Sequence, residues 1–459
     1  YLDYERLREA LAGSRADAVW VGWGFVSEHA RFVDLCDELG IVFIGPPAAV
    51  MRKLGDKITS KQIAESAGVP VAPWSGEPVE TVDEAHAHAD RLGYPVMVKA
   101  TAGGGGRGIR KVMDASQMEQ AFTAARAEAL NGFGDPTVFI ESLVNGARHI
   151  EVQIIGDEAG SVRPVGVRDC SVKRRTQKIL EDAPSPALSA DQHEEVKEAA
   201  ARLGRAAGYR NAGTVELLYE DETGDFRFME VKARLQVEHP ITEVTTGVDL
   251  VKLQLHVANG GTLEGDAPVT SGHAIEARLN AEDPERDFAP APGRIDLLQL
   301  PTGPGVRVDT GVAEGDAIAS EFDSMIAKVI AHGSTRAEAM GRLRRALCQM
   351  QVAVENGTTN KSFVVDLLSR EEFIAGEVDV GWVDRAVTNE VVALPEGASV
   401  ALIAAAIDGA GRREKVAETE FIAAGARGRP EVDDRCGEQV DLQYRGQRYS
   451  LHVARVGRR

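Results

Sequence analysis

Residues 230–240 are Glu-Val-Lys-Ala-Arg-Leu-Gln-Val-Glu-His-Pro, in which polar and apolar side chains alternate strictly as far as Glu238. Because successive side chains of a β-strand point to opposite faces, the alternation predicts a strand with one wholly polar face. On that face Arg234 and Gln236 can hold a small planar anion, and Glu238 can take its proton. The alternative is an edge strand whose polar face is merely solvated.

A second predicted strand, residues 213–219, lies just upstream and is joined to the first by a turn-like segment containing Gly224. If the two strands pair as a hairpin centred on Thr223, Glu216 lies opposite Glu230. Like charges directly opposite each other destabilise a sheet unless a cation lies between them. Carboxylate oxygens with no nearby His or Cys favour Mg2+ (or Mn2+), which usually brings phosphates with it.

The composition limits the classes of partner. The net charge of −19 over 459 residues argues against nucleic acid, since phosphate binding requires basic surface. The four cysteines are scattered without a Cys-x-x-Cys pair, which favours a reducing, cytoplasmic location and no cysteine metal site. No apolar run reaches the ~18 residues that span a membrane, so we expect no membrane partner. The opening Tyr-Leu-Asp-Tyr lacks a Met and predicts a processed or truncated N-terminus.

Strand and helix patterns predict an α/β (α+β) chain with four parts. Residues 1–71 alternate strands and helices as a partial doubly wound N-terminal domain. Residues 72–145 are expected to form a small lid lobe, and residues 146–385 a larger core lobe with its C-terminal domain. Residues 386–459 change character and predict the start of a further module, an alanine-rich helix followed by a β-hairpin.

The small lobe contains a glycine-rich segment, residues 101–108, between two predicted strands and just after Lys99. Two strands joined by such a loop can fold over a triphosphate with exposed backbone N–H groups. The pattern differs from a P-loop and from the dinucleotide fingerprint, in both of which a helix follows the glycines. A flexible linker has a similar composition, but the flanking strands and Lys99 favour a phosphate-covering loop. We expect this lobe to be mobile and to close over the nucleotide.

Residues 168–178 form a dense basic cluster, with five Lys or Arg in eleven residues of an acidic protein. A solvated loop is the alternative for an isolated cluster of this kind. Its position between the glycine loop and the carboxylate strands favours an anion site.

Together these motifs resemble biotin carboxylase, an ATP-grasp enzyme and the ATP-using component of acyl-CoA, pyruvate and related carboxylases. The resemblance covers residues 1–385, and residues 18–24 look most like the large multidomain acyl-CoA carboxylases. The family's first βαβ portion and its Ala-Met-Lys-Met biotin-attachment motif are absent from this sequence. The motifs that carry the resemblance are Lys99 with the glycine loop, Arg168-Asp169-Cys170-Ser171, Arg174-Arg175-x-Gln177-Lys178, Arg234-Leu235-Gln236-Val237-Glu238-His239-Pro240 and Phe322-Asp323-Ser324-Met325-Ile326-Ala327-Lys328.

The resemblance implies an ATP-grasp fold with a partial doubly wound N-terminal domain, a glycine-loop lid lobe and a mixed-sheet C-terminal lobe. It also implies that ATP phosphorylates bicarbonate to carboxyphosphate, which breaks down to phosphate and CO2. The CO2 then carboxylates biotin on a carrier domain outside this chain, as the first half-reaction of an acyl-CoA carboxylase. The implied partners are that biotin carboxyl carrier domain and a carboxyltransferase, within a larger oligomeric carboxylase.

The resemblance also assigns roles to individual residues. The implied ATP-binding residues are Lys57, Lys99, Gly104, Gly105, Gly106, Glu141, His149 and Leu218. Those implied to surround bicarbonate are Lys178, Arg234, Gln236 and Val237. Glu216 and Glu230 are implied to bind Mg2+. The implied catalytic residues are Lys178, Arg234, the general base Glu238, and Arg307, which stabilises the developing biotin enolate.

Three positions depart from the family pattern. Lys232 stands where the family usually has Asn beside the magnesium site. Lys173 replaces a Gln before the Arg pair, and Thr176 replaces a His or Asn after it. The ammonium of Lys232 is on the same predicted face as Glu230 and Glu238, where it can pair with them and compete with Mg2+. These departures lower the expected activity and leave the expected fold unchanged.

Two other functions are compatible with these motifs. One is another ATP-grasp ligase that activates bicarbonate or a carboxylate without biotin, such as half of a carbamoyl-phosphate synthetase. ATP cleavage that depends on biotin in the presence of bicarbonate separates that alternative from a biotin carboxylase. The other is a degenerate ATP-grasp domain with a structural role in a carboxylase assembly, suggested by Lys232 and the missing N-terminal piece.

Overall fold

The computed structural model describes residues 1–102, 108–388, 398–425, 428, 437–444 and 447–455. These residues form two compact units. One consists of residues 1–283 and 290–387, and the other of residues 284–289 and the described residues from 388 onward. Within these described ranges, no helix combines the length and the apolar character needed to cross a bilayer.

The N-terminal segment alternates short strands and helices, as the sequence predicts. Asp56 caps a helix, because its carboxylate accepts a 2.7 Å hydrogen bond from the Thr59 N–H, and this places Lys57 in the first helical turn. The two strands pair in parallel. The elements are α1 (Tyr4–Ser14), β1 (Ala18–Val19), α2 (Ala30–Glu38), β2 (Val42–Phe43), α3 (Ala48–Gly55) and α4 (Lys57–Ser66).

The small lobe is a three-stranded antiparallel sheet with two helices. Its elements are α5 (Val82–Leu92), β3 (Val96–Ala100), β4 (Ile109–Val112), α6 (Met118–Phe133) and β5 (Val138–Ser142). The strand order is β4-β3-β5, so β3, which carries Lys99, is the central strand. The glycine loop that joins β3 to β4 falls largely at residues 103–107, outside the described residues.

The large lobe is built on an eight-stranded sheet, and a second group of strands and helices follows it along the chain. Its first elements are β6 (Arg148–Gly156), β7 (Val162–Arg174), β8 (Gln177–Ala183), α7 (Ala190–Ala207), β9 (Asn211–Tyr219), β10 (Phe226–Lys232), α8 (His239–Thr246), α9 (Leu250–Ala258), β11 (His273–Asn280) and β12 (Glu282–Asp283). The remaining elements are β13 (Ala289–Pro290), β14 (Ile295–Gln299), β15 (Val306–Thr310), β16 (Met325–Gly333), α10 (Arg336–Gln349), β17 (Gln351–Val354), α11 (Lys361–Leu367), α12 (Glu371–Ala375) and α13 (Trp382–Thr388).

The order of strands in the large sheet is β10-β9-β6-β7-β8-β11-β16-β15. One face packs against α7 in a shared apolar core that includes Val152, Val215 and Leu203. Because strand side chains alternate, Glu151, just before Val152, and Glu216, just after Val215, point to the other face. The core therefore fixes which side chains are available to a site on the opposite face.

The prediction of one strand over residues 230–240 is correct only as far as Lys232. Strand β10 ends at Lys232, and the chain is irregular from Ala233 to Glu238 before α8 begins at His239. Pro240 favours the helix at the end of this stretch, since it has no N–H for a sheet and its fixed φ suits the first turn of α8. The polar face inferred from the alternation therefore does not exist as one continuous strand face.

The predicted α/β class is confirmed, with one correction to the expected mixed sheet. All described pairings within the eight-stranded sheet are antiparallel. Antiparallel neighbours need only short connections, whereas parallel neighbours need long crossovers, and β6 to β8 follow one another with short turns. The division into domains at residues 71, 145 and 385 stays a prediction.

The second unit consists mainly of a long helix and a hairpin. The helix, α14 (Ala398–Gly425), extends well beyond the alanine-rich stretch that predicts it. The hairpin is formed by β18 (Glu438–Tyr444) and β19 (Gln447–Val453), which pair antiparallel, and its predicted turn at residues 445–446 lies outside the described residues. An ion pair joins Arg413 on the helix to Glu438 on the hairpin.

Alanine substitution of two helical glycines should have opposite effects on stability, because α7 packs closely on the sheet at one of them and α6 leaves space at the other. A Cβ added at Gly204 would lie 2.7 Å from Val162 Cγ1, whereas one added at Gly132 in α6 would meet nothing within 4 Å. We expect Gly204→Ala to lower the free energy of unfolding, because overpacking costs about 1–3 kcal/mol and exceeds the helix-propensity gain. Gly132→Ala should raise it by about 0.5–1 kcal/mol. Denaturant unfolding of both variants measures this, and a stabilised Gly204→Ala protein would contradict the packing described.

Candidate active site

Four ionisable side chains form a row across adjacent strands of the large sheet. Arg168 on β7, Glu151 on β6, Glu216 on β9 and Glu230 on β10 are successive cross-strand partners. The predicted pairing of Glu216 with Glu230 is confirmed. Three carboxylates side by side repel one another, and two of them, on Glu151 and Glu216, are almost fully buried. Such a row is stable only if cations lie among the carboxylates.

Lys178 on β8 supplies the central cation. Its ammonium forms an ion pair with Glu151, lies 2.5 Å from Glu238 Oε1 and lies 3.9 Å from Glu216 Oε1. Burial alone would lower the pKa of Lys178, but the carboxylates of Glu151 and Glu238 raise it well above its ordinary value. The charged form of Lys178 is therefore favoured in this cluster.

Arg168 supplies the second cation, and its side chain is fully buried. Burial alone would lower its pKa, but Glu151 and Glu238 raise it. The guanidinium donates hydrogen bonds of 2.8 to 3.2 Å to side-chain oxygens of Glu151, Gln153, Thr214, Gln236 and Thr242. This saturation of the donors makes Arg168 a structural centre of the site, with no N–H left for a substrate.

The irregular segment after β10 brings two predicted site residues into this network. Gln236 accepts a 2.8 Å hydrogen bond from Arg168, and its amide nitrogen donates a 2.9 Å bond to Glu216 Oε1. Glu238 is buried and accepts from Lys178 through Oε1 and from Arg278 through Oε2, at 2.5 and 2.9 Å. Burial alone would raise the pKa of Glu238, but Lys178, Arg278 and Arg168 hold it well below the ordinary value.

Arg234 is held apart from this network, contrary to the prediction that it shares a strand face with Gln236. Its Nε donates a 3.1 Å hydrogen bond to Glu28 of the N-terminal segment, and its Nη1 donates to the Leu235 carbonyl. The cause is the end of β10 at Lys232, after which the period-two alternation no longer fixes where side chains point.

A buried histidine lies beside the carboxylates of the predicted metal site, Glu216 and Glu230. The Nε2 atom of His149 lies 3.2 Å from Glu216 Oε2 and is buried, with no hydrogen-bond partner among the described residues. Its ring nitrogen and the oxygens of Glu151 and Glu216 lie within 4.8 Å of one another. The expectation that no His lies near the carboxylates is therefore wrong, and His149, predicted only as an ATP residue, lies beside Glu216. The carboxylate oxygens of Glu216 and Glu230 are the hard donors that fit Mg2+ or Mn2+.

The departure at Lys232 acts directly on this metal site. The Lys232 ammonium lies 2.6 Å from Glu230 Oε1, and both side chains are about four-fifths buried. Burial alone would lower the pKa of Lys232, but Glu230, Glu216 and Glu28 raise it above its ordinary value. A charged ammonium therefore occupies the position next to a predicted metal ligand.

A second buried network lies on the ATP side. Glu141 on β5 forms ion pairs with both Lys99 and Lys61, and Lys61 was not predicted. Burial lowers the pKa of Lys57, with Glu230 raising it and the charges of Lys99 and Lys232 lowering it further. Lysines from β3, α4 and β10 thus act on one another at short range. A polyphosphate bound among these lysines would favour their charged forms and so offset the effect of burial on Lys57.

The remaining predicted ATP residues lie along β6 and β9. His149 and Leu218 are direct cross-strand partners, and the Lys173 ammonium lies 3.5 Å from His149 Nδ1. Lys173 thus stands beside a predicted ATP residue, whereas Thr176 is exposed at the turn between β7 and β8. The three glycines predicted to cover ATP, Gly104, Gly105 and Gly106, lie outside the described residues.

Arg307 lies at the other end of the sheet, on β15. Its guanidinium forms hydrogen bonds of 2.9 to 3.0 Å with Glu243 and Asp309, and more than a third of its side chain is exposed. Val237, predicted beside bicarbonate, offers its carbonyl to Lys328 at 2.8 Å. The described contacts of Arg307 are therefore separate from those of Glu238.

The sequence analysis missed several partners of the predicted residues. Arg278 on β11 lies 40 residues after its partner Glu238, and Lys328 on β16 lies 91 residues after its partner Val237. Glu151 gave a usable signal, because it occupies a polar position in the alternating stretch that became β6. The unpredicted residues that complete the two networks are Lys61, Glu151, Arg278 and Lys328.

Comparison with known proteins gives consistent matches along the chain. Three family models match: "Biotin carboxylase, N-terminal domain" at residues 1–51, "Carbamoyl-phosphate synthase L chain, ATP binding domain" at residues 56–265, and "Biotin carboxylase C-terminal domain" at residues 276–385. The chain is 41% identical over 386 residues to Biotin carboxylase 1 of Bacillus subtilis, covering 84% of this chain and 85% of that protein. It is 44% identical over 387 residues to Biotin carboxylase of Nostoc sp., covering 84% and 86%.

Solved structures give the same result. The biotin carboxylase of Campylobacter jejuni superposes with a TM-score of 0.81 at 37% identity, covering 84% of this chain and 86% of that one. The biotin carboxylase domain of Hydrogenobacter thermophilus 2-oxoglutarate carboxylase, solved with MgADP, ADP and bicarbonate, superposes with a TM-score of 0.82 at 37% identity, covering 85% and 87%. The predicted ATP-grasp fold is thereby confirmed. The chain belongs to the biotin carboxylase family, ligases of the ATP-grasp fold that serve biotin-dependent carboxylases.

Proposed function

We propose that this chain uses ATP and bicarbonate to carboxylate biotin on a carrier domain, through carboxyphosphate, as the first half-reaction of an acyl-CoA carboxylase. The observation that carries the proposal is the meeting of Lys178, Gln236 and Glu238 in one buried cluster beside Glu216. A buried ammonium, an amide and a carboxylate are the groups needed to bind a small planar anion and to remove its proton. The acyl-CoA assignment rests on the resemblance of residues 18–24.

Bicarbonate binding at this cluster changes the partners of Lys178. The incoming anion draws the ammonium away from Glu238 Oε1, because Lys178 then pairs with the substrate. Loss of that partner raises the pKa of Glu238 from its depressed value toward the range in which it can accept the bicarbonate proton. Gln236 orients the anion, and Arg234 reaches it by exchanging its contact with Glu28.

ATP, Mg2+ and carrier-bound biotin complete the proposed reaction. Mg2+, when bound, neutralises the charge on the transferred phosphoryl group. Glu216 and Glu230 would hold it, Lys57 and Lys99 would hold the phosphates, and Glu141, His149 and Leu218 would line the nucleotide. The bicarbonate oxygen attacks the γ-phosphorus and ADP leaves. Carboxyphosphate then gives CO2 and phosphate. The released phosphate takes the proton from the ureido N–H of biotin, and the nitrogen then forms the new N–C bond to CO2, with Arg307 facing the developing enolate oxygen.

The setting of the reaction follows from the same resemblance. We place the chain beside a biotin carboxyl carrier domain and a carboxyltransferase in a larger cytoplasmic assembly, with fatty acid metabolism as its context. Residues 72–145 act as the mobile lid. The alternative of a carbamoyl-phosphate synthetase half is disfavoured, because family models of biotin carboxylase match on both sides of the shared ATP-binding domain.

One observation favours a second candidate, a degenerate domain with a structural role. The Lys232 ammonium already pairs with Glu230, so a metal ion must displace a charged group to gain that ligand. If the domain has only a structural role, Lys232 takes the place of the metal ion as the cation that balances the charges of Glu216 and Glu230. The two candidates differ in whether Mg2+ and ATP bind and react.

The proposed function predicts ATP cleavage that requires both bicarbonate and biotin. ADP release by the purified chain should be measured with Mg2+ and ATP, with and without bicarbonate and with and without free biotin. We expect release to rise only when both are present. ATP cleavage with bicarbonate that is indifferent to biotin would indicate the other ATP-grasp class, and no cleavage under any condition would favour the structural role.

Glu238→Gln is the matched control for that assay, since it keeps the size of the side chain and removes the base. Loss of a general base costs about 10²- to 10⁴-fold in rate. We expect biotin-dependent turnover to fall by that factor while ATP binding is retained. Unchanged turnover would show that Glu238 is not the base.

The Lys232–Glu230 pair predicts that Mg2+-dependent ATP binding is weak and can be strengthened by substitution. Lys232→Asn removes the positive charge beside the metal ligand and restores an oxygen donor, so we expect affinity to rise severalfold or more. Calorimetric titration of ATP with and without Mg2+ measures this without turnover. Lys252→Asn, at a lysine whose side chain is 83% exposed on α9, is the matched control and should leave affinity unchanged. Equal affinities in the parent and Lys232→Asn would show that the site tolerates the lysine.

A further inference from the structure

A buried glutamate of the small lobe has two lysine partners, one at each carboxylate oxygen. Glu141 lies near the end of β5, and only 6% of its side chain is exposed. Lys61 of α4 forms an ion pair with Oε1, and Lys99 of β3 forms one with Oε2. Burial alone would raise the pKa of Glu141, but Lys99 and Lys61 hold it below its ordinary value. The two lysines therefore share a carboxylate whose charged form they favour.

The two lysines differ in how freely they can leave Glu141. Only 3% of the Lys61 side chain is exposed, against 15% of the Lys99 side chain. The Lys61 ammonium lies 5.9 Å from the centre of the Trp74 ring. That ring is itself tied to α4, because its Nε1 donates a 3.0 Å hydrogen bond to Glu65, one turn after Lys61. Lys61 is therefore enclosed, whereas Lys99 retains access to solvent.

Helix α4 directs two lysines towards the small lobe. Lys57 and Lys61 are four residues apart, so they are neighbours on the same face of the helix. The Lys57 N–H donates a 3.2 Å hydrogen bond to the Thr101 carbonyl, just after β3, and this bond holds the first turn of α4 against the lobe. One face of α4 thus supplies Lys57, which the proposed function assigns to phosphate, and Lys61, which it does not use.

The charges around Glu141 do not balance, since one carboxylate faces two ammonium groups. Burial lowers the pKa of Lys61, Glu141 raises it, and the charge of Lys99 lowers it further. If Lys99 moves to a bound phosphate, Glu141 keeps Lys61 as its partner and the repulsion between the two lysines is relieved. Without Lys61 the same movement would leave Glu141 buried with no cation beside it, and an uncompensated buried charge is strongly unfavourable.

We propose that Lys61 is a positioning residue that allows Lys99 to exchange Glu141 for the phosphates of ATP. The proposal rests on the function proposed above, in which Lys99 holds phosphate. Lys61 itself touches no phosphate and acts through Glu141, whose charge it balances once Lys99 has moved. The affinity for ATP therefore depends on Lys61 only as long as residue 141 carries a carboxylate.

Two substitutions and their combination test this dependence by calorimetric titration with MgATP. Lys61→Met keeps an unbranched side chain and removes the charge, so Glu141 retains Lys99 and we expect the Kd for ATP to rise roughly tenfold. Glu141→Gln removes the charge that holds Lys99 and keeps the side-chain shape, so ATP should bind at least as tightly as to the parent. In the double variant no carboxylate retains Lys99, so adding Lys61→Met to Glu141→Gln should leave the Kd nearly unchanged.

A merely structural role for Lys61 predicts a different pattern. The packing defect left by Lys61→Met would persist in the double variant, so Glu141→Gln would not rescue affinity. Adenosine supplies a second distinction, because it has no phosphate for Lys99, and its Kd should be the same in the parent and in Lys61→Met. Lys361→Met is the matched control, since Lys361 is a partly buried lysine of α11 that donates a 2.7 Å hydrogen bond to the Met350 carbonyl. It should lower stability and leave the Kd for ATP unchanged.

The outcomes for Lys61 and for the proposed function can be told apart. A parental Kd for ATP in Lys61→Met, or a loss of affinity that persists in the double variant, overturns the positioning role. If circular dichroism shows that Lys61→Met does not fold, Glu141→Gln decides, and weaker ATP binding by that variant overturns the role. A parent that binds ATP without biotin-dependent turnover overturns the proposed function alone, and a parent that binds no ATP overturns both.

Discussion

The interaction on which the site depends is the buried ammonium of Lys178 among Glu151, Glu216 and Glu238. Cross-strand register forces the first two carboxylates to be neighbours, and burial removes the water that would otherwise screen their repulsion. An isolated buried carboxylate would take up a proton instead of remaining charged. Burial raises the pKa of both Glu216 and Glu238, but His149 and Lys178 hold that of Glu216, and Lys178, Arg278 and Arg168 that of Glu238, well below the ordinary value. These cations make an anion site possible in a chain whose net charge is −19.

A second consequence is that the cations assigned to substrates already have carboxylate partners. Lys99 pairs with Glu141, Lys178 with Glu151 and Glu238, and Arg234 with Glu28. An anionic substrate therefore binds by exchange of partners. The cost of removing a buried cation from its carboxylate opposes binding unless that carboxylate keeps another cation. Arg278 at Glu238 and Lys61 at Glu141 are second cations of this kind.

The sequence predicted the structure correctly where strand alternation and short turns determine it, and wrongly where contacts between distant segments determine it. Hairpin register placed Glu216 opposite Glu230 because a short turn leaves few alternatives. The strand predicted from the same alternation does not continue after Lys232. The polar and apolar residues still alternate there, but the segment is neither strand nor helix, so the alternation does not determine which way its side chains point. Arg278, Lys328 and Lys61 could not be found this way, because their partners are set by tertiary contacts between distant strands.

The measurement that tests this account most directly is a pH titration of the glutamate side-chain carboxyl carbons by NMR in the protein without substrates, with the signals assigned through Glu216→Gln, Glu238→Gln and Glu276→Gln. The Lys178-centred network predicts that the pKa values of Glu216 and Glu238 lie well below the ordinary glutamate value. Burial and the charge of Glu181 predict that the pKa of Glu276 lies well above the ordinary glutamate value. If Glu216 or Glu238 titrates at or above the ordinary value, the buried cations do not hold these carboxylates ionised, and the account of the site is contradicted.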